Sequence, residues 1–205
     1  MMSASSTIWA FNAPNEENTE FVYQSVLQGR SRFGWSYVPT ADLRTLEERS
    51  LSDMTEQEKD CFGKAHFLLQ IKPGDWIVHI NIPSWGRCVA AKVLDSYKFD
   101  PDSPTGDFRH FLPVDPKTVI EFDRNSPNVL PLISRRLKLM GRFWRIHYLS
   151  EFLESLENVR EDKVTITGDI TKQIFYLRSQ LNDHLREITE KIQKTHFGKD
   201  LEYLV

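Results

Sequence analysis

The 205-residue sequence predicts an α+β fold, a small domain of helices and short strands followed by one long amphipathic helix. Three observations carry this. The apolar pattern switches near residue 75 from helical spacing to strand-like runs, and those runs are short and bounded by Gly, Pro, Asn and Asp. Beyond residue 168 a single apolar stripe repeats at helical spacing.

Residues 1–6 read as a polar tail, lacking the basic and apolar regions of a signal peptide. Thr7-Ile8-Trp9-Ala10-Phe11-Asn12 is a short apolar run suited to a buried strand, and Pro14, Glu16 and Glu17 then start a helix that should end near Gly29. A loop is expected over Gly29 to Tyr37, then helices over 41–49 and 53–68, the second with a capping-box pattern at Thr55-x-x-Glu58. Residues 75–80 and 87–94 read as two strands, with more β structure at 107–114, 118–122 and 142–147. A short helix over 131–140 should stop at Gly141, and 150–159 should be helical. The order strand, helix, helical insertion, then short strands implies a curled sheet and a domain ending near residue 150.

After a break at 164–168 the stripe comprises Ile170, Ile174, Leu177, Leu181, Leu185, Ile188 and Ile192, at steps of 4, 3, 4, 4, 3 and 4. The extra step of four departs from a strict heptad, so the helix either forms a homodimer or lies against its own domain. Trp9, Trp76 and Trp144 sit in apolar strand patterns and are expected in the core.

Composition narrows the function classes. Forty per cent hydrophobic and 27 per cent charged residues indicate a globular protein, and no apolar run is long enough to cross a bilayer, so a cytoplasmic protein without membrane contact is expected. Cys61 and Cys88 form neither a disulfide scaffold nor a zinc pattern. The net charge of −3 excludes a generally polybasic protein, yet charge is segregated: Arg124, Arg135, Arg136, Lys138, Arg142 and Arg145 share a stretch without acids, while acids concentrate between Asp42 and Asp60. That stretch reads as a phosphate-facing surface, with Arg30, Arg32 and Arg87 beside it, or as a solvated face with scattered ion pairs.

Pro101-Asp102 and Glu161-Asp162-Lys163 match two words of metal-dependent nucleases, but they fall in a loop and in a polar linker, away from a shared sheet edge. His79 and His110 fall on strands, where they either line a pocket or serve structural roles. No catalytic residue or cofactor is read from this region.

Gly74-Asp75-Trp76-Ile77-Val78, Gly86-Arg87-Cys88-Val89-Ala90-Ala91-Lys92-Val93 and Asp107-Phe108-Arg109-His110-Phe111-Leu112 follow one another in an order that resembles the PUA superfamily, in particular its EVE and YTH-like branch. Ile8-Trp9-Ala10-Phe11-Asn12, Gly34-Trp35-Ser36 and Arg142-Phe143-Trp144-Arg145-Ile146 are similar to the first strand, the Gly-x-Trp-Ser segment and the closing strand of such domains. The resemblance spans 7–148 and implies a small curved β-barrel with flanking helices that reads one modified or unpaired base in an aromatic pocket. A base pulled from its stack needs aromatic faces and hydrogen bonds in exchange. The resemblance makes Trp35 the first pocket wall and Trp85 the second, with Tyr97 or Phe99 as a third, and Ser36, Asn12 and Asp107 as polar contacts.

Gly198-Lys199-Asp200-Leu201-Glu202-Tyr203-Leu204-Val205 is similar to the opening helix of Mrr-like restriction endonucleases. It implies that residues 197–205 open a further, nuclease-like domain, joined by a helical segment over 151–196, and that a divalent metal belongs to that domain alone. Together the readings point to the recognition region of a modification-dependent restriction endonuclease that flips a modified base from double-stranded DNA. An RNA reader, a nucleotide-signal sensor and a dimerisation module with core aromatics stay open.

Overall fold

The computed structural model describes residues 6–12, 16–162 and 170–196, with the side chains of 16, 170–175 and 193–196 outside that description. Along the chain these form β1 (Ile8–Asn12), α1 (Thr19–Leu27), β2 (Arg30–Phe33), α2 (Leu43–Glu47), α3 (Glu56–Ala65), β3 (Trp76–Ile80), β4 (Arg87–Lys92), β5 (Lys98–Phe99), β6 (His110–Pro113), β7 (Ile120–Asp123), α4 (Pro131–Arg136), β8 (Phe143–Ile146), α5 (Leu149–Arg160) and α6 (Ile170–His196). The protein is α+β.

Five strands make the central sheet in the order β7-β4-β3-β1-β8, and β2-β6-β5 make a second, smaller one. β1 and β3 pair in parallel, Ile8 opposite Trp76, while the other pairs are antiparallel. A parallel pair needs a long crossover, and the segment from α1 to α3 supplies it. A bridge between Val93 and Val114 ties the two sheets together, and they do not close into a barrel.

β3 is buried along its whole length because both faces of the central sheet are covered. Trp9, Phe11, Ile77, Val89 and Ala91 face one core, shared with α1, the second sheet and the residues after α3; Ile8, Ala10, Trp76, Val78, Ile80, Cys88 and Ala90 face the other, shared with α4 and α5. Trp9 and Trp76 lie in these cores as expected, and Trp144, half-buried, donates its indole N–H to Arg136 O at 3.0 Å. Asp75 fastens the sheet's entry, accepting from Thr7 N at 2.8 Å, Trp9 Nε1 at 3.1 Å and Lys72 N at 3.1 Å.

Two expectations are corrected. The Gly29–Tyr37 loop contains a strand, β2, whose Arg-Ser-Arg sequence disguises it: Ser31 and Arg32 are buried, the Ser31 hydroxyl and both Arg32 Nη atoms partnered inside the protein, so polarity there does not mean solvent. The short β5 was also unread. Gly29 does end the first helix, in left-handed backbone (φ 84°), and the Thr55–Glu58 capping box is complete. The expected tail at 1–5, Pro14, the break at 164–168, Lys163 and the 197–205 segment lie outside the described residues.

Candidate functional site

Where the C-terminal ends of β1 and β3 meet the end of β2 and α1, the described residues enclose a cavity of about 150 Å³. Phe11 and Asn12 come from β1, Val22 from α1, Arg32 and Phe33 from β2, His79 from β3, and Gly34, Trp35, Ile82, Asp107 and Phe108 from adjoining turns. Phe11, Phe33, Trp35, Phe108 and the His79 imidazole supply its aromatic walls. Phe33 packs on Phe11 with ring centroids 4.6 Å apart and on the His79 ring at 5.3 Å. Trp35 meets Phe67 edge-on at 6.4 Å, and Phe67 stacks on Phe143 at 3.6 Å.

The turns that bring the rings here carry unusual backbone. Trp35 (φ 65°), Asn81 (φ 61°) and Phe108 (φ 55°) all occupy the left-handed region, where a side chain costs roughly 1–3 kcal/mol. Two are aromatic walls of the cavity, and Asn81 donates to the cavity residue Asn12, Nδ2 to Oδ1 at 3.0 Å.

A polar network holds those turns in place. Asp107 Oδ1 accepts from Ser36 N at 2.7 Å, Ser36 Oγ at 2.9 Å and its neighbour Phe108 N at 2.8 Å. Ser36 Oγ accepts from Arg109 N at 2.7 Å, and Arg109 Nη1 donates to Ser36 O at 2.6 Å. Arg32 Nη1 donates to Phe108 O at 2.9 Å, while Nη2 pairs with Asp100 at 2.5 Å and holds that carboxyl below its usual range. His110 Nε2 meets Trp35 O at 3.2 Å; because a carbonyl only accepts, this nitrogen carries the proton and Nδ1 accepts from Tyr97 Oη at 2.7 Å. Gly34 has a steric role, since a Cβ there would lie 3.3 Å from Asp107 Oδ2.

The histidines of the site carry no charge. Burial pushes His79 down to about 3 and His110 to about 4, so both rings are neutral at physiological pH. His79 Nε2 shares a 2.7 Å hydrogen bond with Ser31 Oγ. Among the described residues no cluster of His, Cys, Asp or Glu could hold a metal ion, and no helix is long and apolar enough to cross a membrane.

Of the pocket residues expected from sequence, the structure brings Trp35, Asn12 and Asp107 to the cavity. Ser36 is buried beneath it as the partner of Asp107. Tyr97 is in the core, its hydroxyl engaged by His110 and Leu43 N, and Phe99 packs on His110 behind the wall. Trp85 lies elsewhere, its ring under the Arg124 guanidinium at 5.4 Å, because the turn at 81–86 carries it towards β7. Sequence reading missed Phe11, Phe33 and Phe108 as walls. The aromatic-glycine-aromatic triplet Phe33-Gly34-Trp35 was the available signal.

The expected basic surface is divided. Arg32 and Arg124 are buried, so neither can meet a phosphate. Arg124 pairs with Asp183 of α6 at 3.3 Å, with Asn125 Nδ2 donating to the same carboxylate at 2.6 Å, and Lys138 contacts Ser179 and Asp183. Arg87 pairs with Glu121, Arg30 with Asp100, and Arg136 lies over the Tyr148 ring. Arg135, Arg142 and Arg145 present exposed side chains, Arg145 over Trp9 at 4.3 Å. Arg142 stands beside the cavity, its carbonyl accepting from Asn12 N at 3.1 Å. Asp102 sits in a turn after β5 and Glu161 follows α5, so the two nuclease-like words share no sheet edge.

Comparisons with protein-family models, with curated proteins and with solved structures gave no match.

Proposed function

We propose that this chain is a nucleic-acid reader that takes one modified base out of double-stranded DNA into the cavity beside Trp35. The observation that carries the reading is the aromatic-lined 150 Å³ cavity framed by two aromatic residues in left-handed backbone. A cavity of about 150 Å³, open on one side, has room for one planar base. The aromatic walls supply the stacking that a flipped base loses. Asp107 Oδ2, beside Gly34, suits an exocyclic amino donor such as that of cytosine or adenine, while the Asn12 amide borders the rest of the base edge.

The same reading gives the surroundings a role. Met140 is the most exposed large apolar side chain among the described residues, two positions before Arg142, and a thioether there can enter the gap left in the stack. Arg135, Arg142 and Arg145 would meet phosphates, which implies few contacts and a modest salt dependence, a slope of log affinity on log salt of roughly −3. The two bridged sheets then correspond to an opened PUA-like barrel, and the chain to the recognition region of a modification-dependent restriction endonuclease.

The test is titration of duplexes differing only in one central base: cytosine, a C5-substituted cytosine or N6-methyladenine, with matched RNA and free nucleotides beside them. Selective binding of one modified base in DNA, whether a cytosine derivative or N6-methyladenine, weakened roughly 10- to 100-fold by Trp35→Ala in a variant that keeps its thermal transition, supports the reading and names the base. Preference for RNA or a free nucleotide, or binding indifferent to the central base, overturns DNA base reading altogether.

A further inference from the structure

We infer that α6 is a self-association surface, and that its occupant is α6 of a second copy of this chain. The inference stands apart from base reading and begins with how α6 meets its own domain. Ser179 and Asp183, one helical turn apart, are buried against the domain through Lys138, Arg124 and Asn125. These contacts are polar. Leu181 lies two residues from Asp183, roughly 200° around the helix, so the apolar stripe points away. Leu177, Leu181, Leu185, Ile188 and Ile192 are between 48% and 61% exposed. The domain therefore anchors α6 by its polar face and leaves the apolar one uncovered, an arrangement that costs free energy in water unless something covers it.

The pattern fits a second α6. Ile170, Leu181 and Ile192 are separated by steps of eleven, as are Ile174 and Leu185, and Leu177 and Ile188. The step of four that breaks a heptad is thus the join between two eleven-residue repeats, at 3.67 residues per turn, which keeps the strip in line along a nearly straight helix. A strip that repeats itself with Leu and Ile alone is complementary to its own copy. Arg178 and His184 border the strip on its two sides, Gln180, Asn182 and Thr189 lie further round, and Glu187 pairs with Lys191 at 2.7 Å.

The available area is sufficient. The 27 residues of α6 make a rod about 40 Å long and roughly 10–12 Å wide, so pairing two of them buries on the order of 1,000 Å² in total, the lower bound for a specific interface.

Sedimentation velocity on the 205-residue chain across a concentration series tests this. A dimer at micromolar concentration is expected, with Leu181→Glu/Leu185→Glu weakening it at least about 30-fold. Because those side chains are more than half exposed, the variant should keep its circular dichroism and thermal transition when measured as a monomer. A wild-type chain that stays monomeric to 100-fold higher concentration overturns the proposal, as does a folded double variant that dimerises as well as wild type. Asp183→Ala distinguishes the two faces of the helix: it releases α6 from its own domain and should leave the dimer in place, and a dimer lost with Asp183→Ala would instead assign association to the polar face.

Discussion

The two faces of the central sheet are built by different means. On the side of α4 and α5, Ile8, Ala10, Val78, Ile80, Cys88, Ala90, Ile133 and Phe152 are essentially sealed from solvent and pack mostly as aliphatic against aliphatic. On the side of α1 and the second sheet the rings of Trp9, Phe11, Phe33, Phe67, Tyr97 and Phe108 are mixed with aliphatic side chains, buried Arg32, Ser36, Arg109 and His110 run among them, and a cavity remains. The first face has the dense packing that makes a unique fold. The second holds left-handed aromatic residues in place with hydrogen bonds, which is how a protein keeps a space open where packing would otherwise close it. One sheet therefore separates a face that stabilises from a face that keeps a cavity open, the proposed binding face.

The largest effect expected from this division is on the sealed side. Phe152→Ala removes a ring that is fully buried and meets Trp76 edge-on at 5.7 Å, and should cost about 3–5 kcal/mol in denaturant unfolding. Phe33→Ala, at the cavity wall, should cost clearly less, because its neighbours already border empty space and lose fewer contacts. Equal costs would show that the two faces are packed alike and break the comparison.

Next comes the clamp. Asp107→Ala removes an acceptor of three hydrogen bonds and leaves Ser36 N and Phe108 N without a partner, at an expected cost of about 2–3 kcal/mol. Unlike Phe152→Ala, it should also abolish base-selective binding in the fraction that remains folded, because the left-handed turns at Trp35 and Phe108 lose what holds them.

The binding face should also be the acid-sensitive one. His79 and His110 have folded-state values near 3 and 4 against an ordinary 6.5, so the unfolded chain takes up protons first. Their contribution is fully present above pH 6.5 and is lost as pH falls towards 4 and then 3, by up to about 1.4 kcal/mol per pH unit for each ring. Unfolding free energies measured from pH 7 to 4 should fall along this slope, and His79→Gln should flatten it. A wild-type profile that is level over that window would show that these rings are not buried neutral.

What the sequence revealed follows the same division. Strands β1, β3 and β4 were legible because burial on both sides makes them continuous apolar runs, and the Thr55 cap because it needs only residues three apart. β2 was not, because Ser31 and Arg32 become core residues only through His79, Asp100 and Phe108, which are distant in sequence. Trp35, Asn12 and Asp107 were expected at a pocket from the family resemblance and line the cavity, whereas Phe11, Phe33 and Phe108 look like any core aromatic until the turns are folded. Arg124 reads as a surface cation until Asp183, 59 residues away, arrives beside it. Charge runs reveal composition, and only the fold decides which charges face water.

The smallest effect is also the sharpest test of whether the binding face works as a coupled unit. Thr55 accepts from Glu58 N at 3.2 Å and Glu58 accepts from Thr55 N at 2.8 Å; with Arg49 this holds the Glu58 carboxyl down to about 2. Thr55→Ala should cost about 1 kcal/mol, and the Glu58 contribution should be present above pH 4.5 and lost as pH falls towards 2. The cap shares no hydrogen-bond partner with Asp107, so Thr55→Ala combined with Asp107→Ala should be additive within about 0.5 kcal/mol. Ser36→Ala combined with Asp107→Ala should fall short of additivity by 0.5 kcal/mol or more, roughly, because each change already breaks the bond that the other would break. Additivity in both pairs would mean that the clamp is a set of independent hydrogen bonds. The left-handed turns around the cavity would then need some other constraint, and the proposed role of Ser36 as support for the Trp35 wall would fall with it.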